Sequence, residues 1–266
     1  MFSPYYAAAR RRGPADPLAH VAMNVALLGP GTRRWAMTER SERALQRSAT
    51  RLSIGPSQLL WQDGALEMTI DEIAVPWPRR LRGHVRLLLP PALNSTAHAL
   101  DAAGRHRWRP IAPAARVQVA FEAPACRWEG SAYFDTNTGT RALEQDFKGW
   151  QWSREALAGG GCRIHYDVAR RDGSQLALAL QAGPDGLLHT TEAGAAAPLA
   201  TTRWGITRQA RGALALERTL EDGPFYARSQ LAGPQGAGAV HESLSLDRFA
   251  SRWVQALLPF RMPRRA

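Results

Sequence analysis

The sequence predicts an all-β protein, a barrel or sandwich of one or two β units. Three observations carry that reading. Leu66, Met68 and Ile70 alternate with Glu67, Thr69 and Asp71, and Val117, Val119 and Phe121 alternate with Gln118, Ala120 and Glu122. A period of two describes a strand with one buried face. Turn signals recur at short intervals, at Gly29-Pro30-Gly31, Gly55-Pro56, Asp63-Gly64, Asp172-Gly173 and Pro184-Asp185-Gly186, each with a steric reason to reverse the chain. One stretch alone shows a clear helical period. At 266 residues, 45% hydrophobic and 21% charged, the chain has the material for a sizeable core and is not a disordered polymer.

Taken in order, strands are expected over 20–28, 32–38, 66–71, 80–88, 96–101, 117–122, 126–135, 162–170, 176–180 and 211–219. Pro76 and Pro78 bracket Trp77, which demotes that point to an edge or a crossing segment because proline donates no ladder bond. The stretch 183–210 is rich in Gly, Ala, Pro and Thr and reads as a linker or long loop. A soft boundary falls within 137–160; placed at 145/146 it gives an N-terminal unit, 1–145, and a C-terminal unit, 146–266, with a terminal helix. That helix starts at Ser245 as N-cap with Asp247 in its first turn. It aligns Leu246, Phe249, Ala250, Trp253, Val254 and Leu257 and stops at Pro259. Packing beside a barrel is the expected use of that face; membrane contact is the other.

The net charge is +11, yet Lys148 is the only lysine beside a large excess of arginine. Scattered pairs such as Arg33-Arg34, Arg79-Arg80 and Arg170-Arg171 read as coding bias more economically than as a phosphate-binding surface, so no nucleic-acid partner is expected. The basic ends, Arg10-Arg11-Arg12 and Arg264-Arg265, suit an anionic leaflet or simply solvation. The opening MFSPYYAAARRRG lacks a signal-peptide pattern, and no run approaches the ~18 apolar residues of a membrane span. A cytoplasmic protein, peripheral to the inner or intracytoplasmic membrane, is expected.

Candidate chemistry centres on Trp128–Trp152, WEGSAYFDTNTGTRALEQDFKGWQW. Tyr133 and Asp135 lie two apart and share one strand face. Aromatic, apolar surroundings would raise the Asp135 carboxyl above ~3.9 and make it a general acid. The alternative is a strand-end aspartate bonding the amides of the next turn. His106 and Trp108, in GRHRWRP, share a face in the same way, with Arg105, Arg107 and Arg109 on a solvated opposite face. A lone histidine is more often structural than catalytic. His165-Tyr166-Asp167 is better read as alternating strand positions. DTNTGT fails as a calcium loop, with Gly139 where a ligand belongs and Thr140 where glycine belongs. The remaining histidines, including His98 and His241, and the two cysteines, Cys126 and Cys162, show no metal-ligand or C-x-x-C spacing. No nucleophile elbow, P-loop or dinucleotide fingerprint is present.

Across its whole length the chain resembles a known family. The blocks FSPYYAAARRRGPADPLAHVAMNVALLG, RWAMTER, GRHRWRP, AYFDTNTGTRALEQDFKGWQWSR and TLEDGPFYARS, followed by VHESLSLDRF and LPFRMPRR, are similar to those of the acyclic carotenoid 1,2-hydratases, or hydroxyneurosporene synthases. The resemblance implies a lipocalin-like (calycin-type) fold of two barrel-like units and no cofactor. It implies hydration of the terminal C1–C2 double bond of neurosporene or lycopene in phototrophic bacteria. It places the acid on Asp135, with Tyr133, His106 and Trp108 as further site residues. The mechanism expected is protonation of C2 by Asp135, Trp108 and Tyr133 facing the C1 cation, and His106 orienting or deprotonating the water. Aromatic-rich, strand-forming sequence precedes FSPYY in the family, whereas here it follows Met1 directly; a later start, or a first β unit short of a strand, is the expectation. A non-catalytic carotenoid or lipid carrier, or an inactive remnant, is the rival reading. Nine tryptophans suit a polyene slot, although most are expected in cores.

Overall fold

The computed structural model describes residues 2–233 and 238–265. Helix α1 (Pro4–Arg12) opens the chain, its N-terminal turn closed by the Ser3 hydroxyl accepting from the Tyr6 amide. Strands then follow: β1 (Val21–Gly29), β2 (Thr32–Arg40), β3 (Leu45–Arg47), β4 (Arg51–Ile54), β5 (Ser57–Gln62), β6 (Ala65–Ala74), β7 (Arg79–Leu88), β8 (His98–Ala99), β9 (His106–Ala123) and β10 (Ala125–Gly139). After helix α2 (Leu143–Asp146) come β11 (Phe147–Ala156), β12 (Cys162–Arg170), β13 (Gln175–Ala182), β14 (Leu188–Thr190), β15 (Ala197–Leu199), β16 (Arg208–Ala210), β17 (Ala215–Asp222), β18 (Tyr226–Ala232) and β19 (Gly238–Ser245). Helices α3 (Leu246–Ala250) and α4 (Arg252–Arg261) and the short β20 (Arg264–Arg265) end it. The protein is all-β.

Two compact units emerge, interleaved in sequence. The first holds residues up to Leu89, Arg116–Gly130 and residues from Arg252; the second holds Pro90–Ala115 and Ser131–Ser251. A cut at 145/146 falls inside α2 of the second unit. In the first, antiparallel strands run in the order β10-β9-β7-β6-β5-β4-β3, beside a β1-β2-β20 sheet. The predicted alternation is visible in its core, where Leu66, Ile70, Leu81, Leu87, Val117, Val119 and Phe121 are buried. The second unit contains the remaining halves of β9 and β10 and a seven-stranded sheet in the order β14-β13-β12-β11-β19-β18-β17. Among the described residues no pairing joins the end strands of either order, so barrel closure is not part of the hydrogen-bonded pattern.

Several expected elements differ. The strand over 96–101 shrinks to β8, and 211–219 starts later, at β17. The supposed linker 183–210 contains β14, β15 and β16, and Trp77 sits in the turn between β6 and β7. The single terminal helix is two: Ser251 is extended, with its hydroxyl donating to the Arg248 carbonyl at 2.6 Å. Within α4, Val254 and Leu258 are buried while Trp253 and Leu257 face outward. Pro259 lies within α4 rather than at its end.

The first unit also buries a polar cluster. Arg40 donates to Glu72 at 2.7 Å and to the Thr38 carbonyl at 3.1 Å, and Ser57 donates to the other Glu72 oxygen at 2.8 Å. Removing one partner of a buried ion pair costs more than the pair contributes, because the survivor stays desolvated. Glu72→Ala is therefore expected to lower unfolding free energy by about 3–5 kcal/mol in a urea titration. A loss below about 1 kcal/mol would mean that Arg40 behaves as a solvated surface cation.

Candidate active site

Local sequence explains how the second unit places its site. The Asp101–Gly104 turn starts β9: Gly104 donates to the Asp101 carbonyl at 3.1 Å, and the Asp101 carboxylate accepts from the His106 amide at 2.8 Å. Strand alternation then buries His106 and Trp108 and exposes Arg107 and Arg109. β10 is the neighbour of β9, a relation that spacing left open. It brings Tyr133 and Asp135 to Trp108. On the facing sheet, β11 bulges between Phe147 and Gly149, where a Cβ on Gly149 would stand 2.1 Å from the Leu244 carbonyl oxygen. Only glycine tolerates that approach. The register it fixes sets Trp150 and Trp152 on one face, with Trp152 opposite both Tyr166 and Glu242. Arg154, on the same face, donates to the Pro113 carbonyl at 3.0 Å and to Ser131 at 2.8 Å, tying β11 to the β9 and β10 segments.

Three of the four expected residues converge. The Trp108 indole N–H donates to Asp135 Oδ2 at 2.6 Å and also lies 3.2 Å from the Tyr133 hydroxyl; that hydroxyl donates to the same Oδ2 at 3.0 Å. Both donors occupy one oxygen, which leaves Oδ1 as the place for a proton. Burial pushes the Asp135 carboxyl up, the two hydrogen bonds pull it partly back, and the Glu242 charge pushes it up again. Burial and the Asp135 charge hold the Tyr133 proton far above its ordinary range. This is a carboxyl whose pKa is raised by burial, with hydrogen-bond donors for its anion already in place.

His106 is placed elsewhere. Its Nε2 meets Asp146 Oδ2 at 2.8 Å, in a cluster where Arg105 reaches Asp146 at 2.8 Å and Arg141 at 3.4 Å. Its Nδ1 faces Gly139, where an added Cβ would lie 2.7 Å away. Arg105 is thus an ion-pair partner and not a solvated exterior residue, and neither imidazole nitrogen points to Asp135.

The structure adds residues that spacing did not select. Tyr166 is buried and meets Trp108 edge-on at 5.2 Å between centroids. Trp152 lies 5.1 Å from Tyr133, and His98 packs on Trp108 at 5.5 Å. Trp108 itself is 0% exposed, so it serves as a donor and not as a wall for a ligand. Of the tryptophans, Trp108 alone is fully buried among the described residues, against the expectation that most fill cores; Trp61, Trp77, Trp128, Trp204 and Trp253 are exposed. No cluster of three or more His, Cys, Asp or Glu among the described residues is arranged to hold a metal ion.

The second unit thus holds a largely buried carboxyl bound by two aromatic donors, an arrangement whose chemistry is that of an acid facing apolar groups. Comparison with known proteins gives the family. The carotenoid hydratase CrtC family matches residues 1–266. An acyclic carotenoid 1,2-hydratase of Thiocapsa roseopersicina is 49% identical over 99% of this chain and 67% of its own length. Its counterpart in Rubrivivax gelatinosus is 45% identical over 100% and 68%, and that of Cereibacter sphaeroides 36% identical over 100% and 95%. The chain belongs to the carotenoid hydratase family.

Because Asp135 binds its proton more tightly folded than unfolded, its contribution to stability is full at low pH. It is lost as pH rises through the folded-state value. Asp135→Asn should therefore gain thermal stability relative to the parent as pH goes from about 4 to about 8. A gap that narrows over that range would show the Trp108 and Tyr133 hydrogen bonds outweighing burial.

Proposed function

We propose that this chain hydrates the terminal C1–C2 double bond of an acyclic carotenoid such as neurosporene or lycopene, as a cofactor-independent hydro-lyase with Asp135 as the acid. The observation that carries the reading is the pair of donors on Asp135 Oδ2. Proton transfer from Oδ1 to C2 leaves a carboxylate whose other oxygen already accepts from Trp108 and Tyr133, so charge develops against fixed dipoles. The tertiary cation at C1 then meets the partly exposed faces of Tyr133 and Trp152, each contributing about 0.5–2 kcal/mol where water is excluded. Trp108 acts through its N–H. His106, held by Asp146 and Gly139, is a positioning residue for the start of β9.

Finer points of architecture and location go with this reading. The antiparallel sheets, the first nearly sequential and the second made of two sequential runs joined where β11 pairs β19, suit two lipocalin-like modules. A bilayer-borne substrate suits a peripheral protein, and α4 offers a surface for it: Trp253, Leu257 and Phe260 recur at helical spacing, exposed (Phe260 by 78%), between the exposed Arg252 and Arg261. An apolar helix face flanked by cations fits an anionic leaflet. Among the described residues no helix is long and apolar enough to cross a membrane.

Two measurements test these statements. Supplied with lycopene or neurosporene in lipid, the protein should yield products heavier by one water, and Asp135→Asn should reduce turnover by about 100-fold or more while still binding carotenoid. Wild-type turnover in a folded Asp135→Asn would end the acid assignment. In vesicle flotation, Phe260→Ser should weaken binding to anionic liposomes about tenfold; unchanged binding would move the membrane contact elsewhere.

A further inference from the structure

The four family-matched residues leave the water without a base, since His106 is committed to Asp146. The sheet opposite Asp135 carries a second carboxylate, Glu242 on β19. It lies opposite Trp152 and Arg228 in register, and Trp152 touches Tyr133, so it stands on the same face as the aromatic cluster. Directly opposed side chains on one sheet face have Cβ atoms about 4.5–5.5 Å apart. Arg228 donates to Glu242 at 3.0 and 3.2 Å, and both bonds land on Oε1; Glu221 lies 3.3 Å from the same guanidinium. Oε2 is outside that pairing, and the Glu242 side chain keeps 27% of its surface open, so water reaches it.

One donor beside it has no acceptor. The Trp152 indole N–H, directly opposite Glu242, is buried with no hydrogen-bond partner among the described residues; Tyr226, the diagonal neighbour on β18, has its hydroxyl beside the Glu242 carboxylate. An unpaired buried donor costs about 1–3 kcal/mol and calls for an explanation such as a site that receives a polar ligand. A carboxylate edge beside such a donor is chemistry for a water molecule or a product hydroxyl. Glu242 also acts at a distance on the acid side: after burial, its charge is among the influences raising Asp135, and with that of Asp135 it raises Tyr166.

We propose that Glu242, paired with Arg228, is the catalytic base that takes the proton from the water attacking C1. The proposal rests on Asp135 being the acid. Asp135 Oδ1 gives its proton to C2 as the π pair forms the C–H bond. A water lone pair forms the C1–O bond, and one water proton passes to Glu242 Oε2, leaving a tertiary alcohol. Glu242 then releases that proton to solvent and Asp135 takes one from it, so the net change is one water added.

The test runs turnover in D2O and reads two quantities: hydrated product, and deuterium in the end group of recovered carotenoid, which reports protonation followed by reversal. In Glu242→Gln, product should fall about 100-fold or more while end-group deuterium persists. Wild-type product formation in Glu242→Gln overturns the proposal, and so does joint loss of product and exchange in a folded variant, which would make Glu242 a support for the acid. Asp135→Asn separates the underlying reading, since it should abolish both signals; exchange that survives there refutes the acid assignment itself. Glu242→Asp keeps the Arg228 pair but withdraws the carboxylate, and its product-to-exchange ratio does not depend on how much protein folds. A ratio below wild type supports the base role, and an unchanged ratio overturns it.

Discussion

The hydrogen bond from Trp108 to Asp135 is the constraint on which the second unit's chemistry depends. A carboxyl taken out of water favours its neutral form, and left alone it would be a poor proton donor because its anion would have no partners. Trp108 and Tyr133 supply those partners on one oxygen, at 2.6 and 3.0 Å, while burial raises the carboxyl's pKa. Opposing influences of this kind are what hold an acid near its working range. Neither donor is free to drift. Trp108 is enclosed by Tyr166 and His98, and Tyr133 is braced by Trp152, so the donors are fixed before any substrate arrives.

That enclosure depends in turn on sheet register. Gly149 lets β11 approach β19 where any side chain would collide with the Leu244 carbonyl, and the resulting pairing sets Tyr166, Trp152, Glu242 and Arg228 in a row across four strands. A slip of one residue would send the whole row to the opposite face. There the side chains are of another kind: His165, Ser153, His241 and Ser229 are buried, and His241 Nε2 donates to the Gln209 carbonyl at 2.9 Å. The two faces are chemically distinct, and register decides which one the acid meets.

Much of this was legible in the sequence, for a physical reason. Strand alternation is local, so the shared faces of His106 with Trp108 and of Tyr133 with Asp135 could be read from spacing alone, as could the core positions of β6 and β9. Pairing is not local. Glu242 lies 90 residues beyond Trp152 in the chain, and nothing in HESLS marks it as the neighbour of an aromatic cluster. The same limit hid the Asp146 partner of His106. Arg105 was read as solvated because its own strand face is polar, yet α2 delivers a carboxylate to it. The terminal helix failed differently. Its apolar period runs unbroken through Ser251, but that serine turns back to the Arg248 carbonyl, and a competing side-chain bond of this sort ends a helix that hydropathy alone would continue.

Adding water to an unactivated alkene asks for two opposite protonation states in one place, an acid that stays protonated and a base that stays charged. Two carboxyls in the same surroundings would share a single proton between them. Here their surroundings differ. Asp135 faces aromatic rings and neutral donors, and no cation contacts it among the described residues. Glu242 is bound to the guanidinium of Arg228, which is itself shared with Glu221. Neutral donors bind Asp135 whereas a cation binds Glu242, so the two carboxyls sit in electrostatically different surroundings. The negative charge on Glu242 then strengthens the proton's hold on Asp135. The charge of the proposed base thus also raises the acid's hold on its proton, and the two roles reinforce each other from one sheet to the other.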